Sequence, residues 1–311
     1  MQLEHVAATI LVGVDRLERS LDAVALARAL AGASGANVLV ANVFPHHYEL
    51  GRGPDLGYRR ALERDADRTA RRTADELGSL DAERVATATV AAASPADGLQ
   101  RLARQRRAAL VIVGSSRVDS MGRVLPGSTG ERLLRHAPCP VAVVPKGYRE
   151  HGLRQIGVAY DGSAAAEAAL RGAVGVAQAS GAELRVIRVI DALAYGAPAM
   201  TGLPSYIRAR GQIERHAREH LEDTVGGLPD DIATEAKLLA GDPAHELAAQ
   251  SSTLDLLITG SRRHRPFGTV LLGAVTGRVL RLATCPVVVI PRGASTSLTD
   301  VFAAPAEAAR R

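Results

Sequence analysis

The sequence predicts an α/β protein made of two tandem five-stranded parallel α/β sandwich domains. Three observations carry this prediction. Strand-length apolar runs alternate with helical segments; the runs are near-continuous in Val, Ile and Leu, as in strands buried on both faces; and the whole pattern occurs twice. "ILVGVDRLERSLDAVALARALAGASGANVLVANV" from Ile10 aligns with "IGVAYDGSAAAEAALRGAVGVAQASGAELRVIRV" from Ile156. Asp15 stands 146 residues before Asp161, and the same offset joins Gly35 to Gly181, Gly114 to Gly260, Arg117 to Arg263, Gly127 to Gly273 and Cys139 to Cys285. Pro95 and Pro243 differ by 148, so small insertions compensate in between. A register kept over so many positions marks a duplication.

Each copy reads in the same order. A short apolar strand ends at Asp15 or Asp161, and a helix follows (Ser20 to Ala33; Ala164 to Ser180). The second strand is Asn37 to Val43, or Glu183 to Ile190. A variable loop then leads to a long charged helix, Arg59 to Leu77 or Tyr206 to Val225. The third strand is Arg84 to Ala91, or Ala233 to Leu239. "SPADGLQRLARQ" and "DPAHELAAQSS" each read as a helix with a polar cap and Pro in its first turn. The fourth strand is Leu110 to Val113, or Leu256 to Thr259. After a glycine-bearing loop come a last helix and a fifth strand, Val141 to Val144 or Val287 to Ile290. The copies are expected to occupy residues 1–146 and 154–293, with a polar linker over 147–153 and a disordered tail over 294–311.

Composition narrows the function. The 38 basic and 33 acidic residues leave a net charge of only +5, with the basic residues scattered. Three Phe, six Tyr and no Trp offer little surface for stacking bases, so nucleic-acid binding is disfavoured. No apolar run is long enough to span a bilayer, which argues against a membrane role. The N-terminus lacks the positive flank and cleavage site of a signal peptide, and a cytoplasmic location is expected. Two cysteines make no disulfide framework, and both precede apolar strands as buried thiols do.

In open parallel sheets, ligands bind beyond the carboxyl ends of the strands, where the strand order reverses. Asp15, Val43 and Gly114 fall at such ends. Gly114 lets the backbone leave its strand without a side chain in the way. Gly127, Ser128 and Thr129 open the last helix of the first copy, whose free N–H groups suit a phosphate.

At this point the chain resembles the universal stress protein family. The resemblance covers nearly the whole chain, twice. It rests on the Asp15 strand end, the "SPADGL" and "GDPAHEL" turns, the glycine loop and the "APCPVAVVP" ending. Nucleotide-binding members carry G-x2-G-x9-G-(S/T) at the loop, and the family fold is a five-stranded parallel α/β sandwich. The resemblance implies ATP as ligand, with or without Mg²⁺. It places Asp15 at the adenine-ribose end beside the backbone of Gly13 and Val43. Gly114, Gly127, Ser128 and Thr129 would hold ribose and phosphates. Ala159, Asp161, Val189, Gly260 and Gly273 are the second copy's counterparts. Two departures stand out: the family's second loop glycine is Arg117 here, and Arg263 in the second copy; and Ala274 replaces Ser128. By analogy with single-domain relatives that dimerise, the halves are expected to pack as a pseudo-dimer near the fifth strands. A further homodimer and unidentified protein partners stay open.

Simpler readings stand beside these. Asp15 and Asp161 can cap helices. Ser128 lies three residues before Glu131, the spacing of a capping box. Arg117 and Arg263 can pair with phosphate or be solvated loop residues. "HAREH", His216 to His220, has metal-pair spacing on a helix, but the first copy reads "ARRTA" there and no third ligand stands out. No nucleophile elbow, Walker loop or dinucleotide fingerprint occurs. With the resemblance, the sequence reads as a non-enzymatic, nucleotide-binding stress-response module. The alternatives are a stress module that binds only proteins, or a nucleotide hydrolase.

Overall fold

The structure, a computed structural model, describes residues 7–45, 56–115, 117–118, 124–125, 128–191, 204–261 and 273–302, with Arg117 and Ser128 defined in their backbone only. The first half runs β1 (Thr9–Val14), α1 (Arg19–Ser34), β2 (Asn37–Pro45), α2 (Leu56–Ala74), β3 (Val85–Ala92), α3 (Pro95–Gln105) and β4 (Leu110–Gly114). It continues through β5 (Arg117–Val118), β6 (Val124–Leu125), α4 (Ser128–His136) and β7 (Val141–Val144). The second half runs β8 (Gln155–Ala159), α5 (Ala164–Ser180), β9 (Glu183–Asp191), α6 (Pro204–Gly226), β10 (Thr234–Gly241) and α7 (Pro243–Gln250). After it come β11 (Leu256–Gly260), α8 (Ala274–Leu282), β12 (Val287–Ile290) and α9 (Thr299–Phe302).

The ten long strands form one sheet in the order β10-β9-β8-β11-β12-β7-β4-β1-β2-β3. Within each half every pairing in this sheet is parallel. The halves meet where β7 and β12 pair antiparallel, Val287 opposite Val143 and Val289 opposite Val141. Every residue of these two strands is buried. A strand with four consecutive buried apolar residues is unstable as a free edge, because both its faces and its ladder groups need cover. Pairing the two equivalent edges satisfies both demands.

The period of two sorts each strand between two helical layers. Ile10, Val12 and Val14 face a core shared with α1 and α5, while Leu11 faces the opposite core with α3 and α4. Both cores contain residues of both halves, and α1 packs against α5 across the join. The long helices α1 and α5 close at left-handed Gly35 and Gly181, as equivalent ends of a duplication should. Ser94 accepts the Asp97 N–H (3.2 Å) and Asp242 the His245 N–H (3.0 Å), so the expected polar caps of α3 and α7 are present.

Two regions differ from expectation. The segment that opens the glycine-bearing loop contains a small antiparallel hairpin, Arg117 opposite Leu125 and Val118 opposite Val124. Two-residue strands are too short to produce a readable alternation. Residues 294–302 are also ordered against the rest of the protein rather than forming part of a disordered tail. Ser295 donates through its N–H (2.7 Å) and hydroxyl (2.8 Å) to the Pro138 carbonyl, and Thr296 donates to the Ala108 carbonyl (2.8 Å). Leu298 and Val301 are then buried beside α5. The polar look of "GASTS" concealed a strap in which the Ser295 and Thr296 hydroxyls are hydrogen-bonded to the first half. The linker is tied down too: Gly147 donates to Asp22 (3.1 Å) and Glu150 pairs with Arg28 (2.5 Å).

Candidate functional site

In the first half the chain leaves β1 for β2 on one side, and later returns to β4 on the other. The strand order therefore reverses between β1 and β4, where Gly13 lies beside Val113. A cleft opens there at the carboxyl ends of the strands, lined among others by Gly13, Asp15, Val43, Gly114 and Thr129. Five residues read from the sequence thus converge. Gly127 and Arg263 lie outside the described residues, and the side chains of Arg117 and Ser128 are not described.

The cleft also has walls that the sequence reading missed: Arg19 and Ser20 from the start of α1, and Pro95 and Leu99 from α3. The available signal for Arg19 was its spacing, four residues after Asp15. The Asp15 carboxylate is already engaged. Its Oδ1 accepts the Leu17 N–H (2.9 Å) and the Ser20 hydroxyl (3.0 Å), and its Oδ2 accepts from the Arg19 guanidinium. The Ser20 hydroxyl also accepts the Asp15 N–H (2.7 Å). Asp15 thus shapes the turn that leads into α1 and lines the cleft, but it does not cap the helix: Glu18 stands at the N-cap, and no side chain caps it.

Gly114 has a packing reason of its own. A Cβ there would overlap the carbonyl oxygen of Arg19, a backbone atom in the first turn of α1. Gly260 meets the carbonyl of Ala165 in the same way. The two exit glycines are therefore required by the close approach of helix to strand, whatever lies in the cleft.

In the second half, Ala159, Val189 and Gly260 stand at or near the carboxyl ends of β8, β9 and β11, which are adjacent in the sheet. Asp161 accepts the Ser163 N–H (2.9 Å), the same turn that Asp15 makes. Ser163, rather than Asp161, caps α5. Gly273 caps α8 with no side-chain bond, and the helix opens with Ala274 and exposed Val275. Thr276 is buried and donates to the Gly260 carbonyl (3.3 Å).

Other candidates fall away. Cys139 and Cys285 are buried, and burial pushes both thiols up to about 12, far from a reactive thiolate. His216 and His220 lie on α6, and among the described residues no group of three or more His, Cys, Asp or Glu could hold a metal ion. No described helix is long and apolar enough to cross a membrane.

Two doubly wound parallel α/β units, fused edge to edge, with a cleft at the switch of strand order in the first, define a tandem α/β module of the kind that binds ligands at its strand ends. The chain belongs to the universal stress protein family, whose model matches residues 8–145 and again residues 152–291. A universal stress protein of Mycolicibacterium smegmatis is 29% identical over 197 residues, which are 60% of this chain and 62% of that relative. The match thus spans less than two thirds of that relative's length. One from Mycobacterium tuberculosis is 27% identical over 235 residues, 74% of this chain and 78% of the relative. Among solved structures, a universal stress protein from Archaeoglobus fulgidus superposes with a TM-score of 0.67 at 21% identity, covering 94% of this chain and 99% of that one. A functionally unknown protein from Pseudomonas aeruginosa superposes with a TM-score of 0.64 at 19% identity, covering 93% and 94%. These superpositions show the tandem fold.

Proposed function

We propose that this chain is a cytoplasmic nucleotide-binding regulatory module of the stress response, with ATP as its ligand and no dedicated chemistry. The observation that carries this reading is the convergence of Gly13, Asp15, Val43, Gly114 and Thr129 on one cleft at the switch point. Asp15 would hold the adenine-ribose end, next to the backbone of Gly13 and Val43. The phosphates would lie toward Thr129 in the first turn of α4, where backbone N–H groups and the helix dipole favour an anion. Any Mg²⁺ would travel with the phosphates. The duplicated halves, residues 1–146 and 154–293, act as one pseudo-dimer.

Isothermal titration of the full chain with ATP tests the reading, alongside mass spectrometry of gently purified protein. Saturable ATP binding that Asp15→Asn weakens supports it. A protein that neither retains nor takes up nucleotide sinks it in favour of the second reading, a module that binds only protein partners. That second reading is favoured by the Arg19 guanidinium already seated on Asp15, and by Ala274 and Val275 at the head of α8.

A further inference from the structure

We propose that Arg19 makes the first cleft selective for nucleotides over nucleosides. It holds Asp15 until a ligand phosphate offers its guanidinium another partner. The inference rests on the nucleotide reading above and adds a residue that the glycine motif does not contain.

The argument begins with Asp15. Its Oδ1 is shared by the Leu17 N–H and the Ser20 hydroxyl, both fixed by the turn into α1. Its Oδ2 faces Arg19. The Arg19 guanidinium thus stands where a ribose hydroxyl or an amine would approach this carboxylate, and a ligand that takes that place displaces it. The exchange is feasible because both side chains are partly exposed, at 28% and 37%, and pairs of this kind are held weakly. It also makes room. The cavity encloses about 90 Å³ with Arg19 in its wall, against roughly 300–1,000 Å³ for typical small-molecule sites.

What becomes of the displaced guanidinium decides the selectivity. Arg16, its neighbour, is already paired with Asp65 (2.6 Å), and Arg19 forms its ion pair with Asp15 alone among the described residues. A Cβ on Gly114 would meet the Arg19 backbone and Cβ, so the base of the side chain is packed against β4, and Arg19 lines the same cleft as Asp15 and Thr129. A nucleoside would strip Arg19 of its partner and supply none. A nucleotide brings a phosphate, for which a planar guanidinium is well matched. The second copy is an internal contrast. Ala165 occupies the position of Arg19 and places its carbonyl over Gly260 as Arg19 does over Gly114. The backbone is the same and the cation is missing.

Equilibrium dialysis of the full chain with labelled adenosine and labelled ATP tests the proposal, using wild type, Arg19→Gln and Arg19→Lys. In Arg19→Gln, adenosine tightens by about tenfold at the first cleft, ATP weakens by about tenfold, and the preference collapses. Arg19→Lys keeps the cation and keeps most of the preference for ATP. Circular dichroism checks that each variant is folded. If both ligands bind and their affinity ratio is the same in all three proteins, the role of Arg19 is overturned while the nucleotide reading stands. If neither ligand binds any of the proteins, the nucleotide reading itself fails and takes this inference with it.

Discussion

The space that a Cβ on Gly114 would need is filled by the backbone carbonyl of Arg19, and 146 residues later the carbonyl of Ala165 fills it at Gly260. A carbonyl in the first turn of a helix cannot swing aside as a side-chain end can. Gly114→Ala is therefore expected to destabilise the protein by about 1–3 kcal/mol through overpacking. Gly260→Ala should do the same. Urea unfolding without ligand checks both, and a Gly114→Ala variant as stable as wild type would contradict this packing.

Asp15 carries two roles that different substitutions separate. Asp15→Ala removes the acceptor for the Leu17 N–H and the Ser20 hydroxyl, at a cost of about 1 kcal/mol. Asp15→Asn keeps an oxygen in place for that turn but loses the negative charge. The expected outcome is a lower melting temperature for the Ala variant alone, with weakened ATP binding in both. Thermal melts and titration on the same preparations decide it. Equal melting of both variants would remove Asp15 from the turn.

The two halves should bind nucleotide unequally. Ser128 and Thr129 open α4, whereas Ala274 and Val275 open α8, and the nearby Thr276 hydroxyl is committed to the Gly260 carbonyl. A hydrogen bond to a charged group is worth about 1.5–3 kcal/mol, so the first half is expected to bind at least tenfold tighter. Ser128→Ala should lose affinity and Ala274→Ser gain it, read by calorimetry. Two equal sites, indifferent to both changes, would mean that backbone N–H groups do the holding.

The strap ties the halves together. Removing residues 294–311 takes away buried Leu298 and Val301 and the bonds from Ser295 and Thr296 to the first half. Burying an aliphatic side chain is worth about 1.5–3 kcal/mol, so the truncated chain should melt well below the full one. Proteolytic nicking near Gly147 should leave the full chain's halves associated on sizing, through β7 and β12. Halves that separate after nicking would refute the shared sheet.

Asp22 supplies a pH signature. It is 8% exposed, and burial raises its carboxyl above the ordinary 3.8, with Glu18 adding to the rise and the Gly147 N–H and Lys146 opposing it. The folded state therefore holds the proton more tightly than the unfolded chain does. Stability is lost as pH climbs from 3.8 through the higher folded value, the reverse of a salt-bridged Asp. Asp22→Asn can still accept from Gly147 and carries no charge. It should match or exceed wild type at pH 7, with the advantage disappearing below about pH 4. Chemical denaturation at both pH values checks the sign, and a variant weaker than wild type at pH 7 would reverse it.

By itself the sequence determined the duplication, the order of strands and helices, the caps at Ser94 and Asp242, and the place of Asp15 and Gly114 at strand ends. All of these are written in local periodicity or in turn residues whose conformational needs act within a few positions. Strand ends were legible only to within a residue or two, as at Pro45 and Gly241, because pairing partners rather than composition decide where a ladder stops. Tertiary structure alone decided the register of Val143 opposite Val287, the landing of Ser295 on Pro138, and the carbonyl beneath Gly114. Each joins residues about a hundred or more positions apart, where no periodic signal reaches. The hold of Arg19 on Asp15 is the instructive exception. The two stand one helical turn apart, yet their contact depends on the chain between them turning into α1 so that the guanidinium meets the carboxylate.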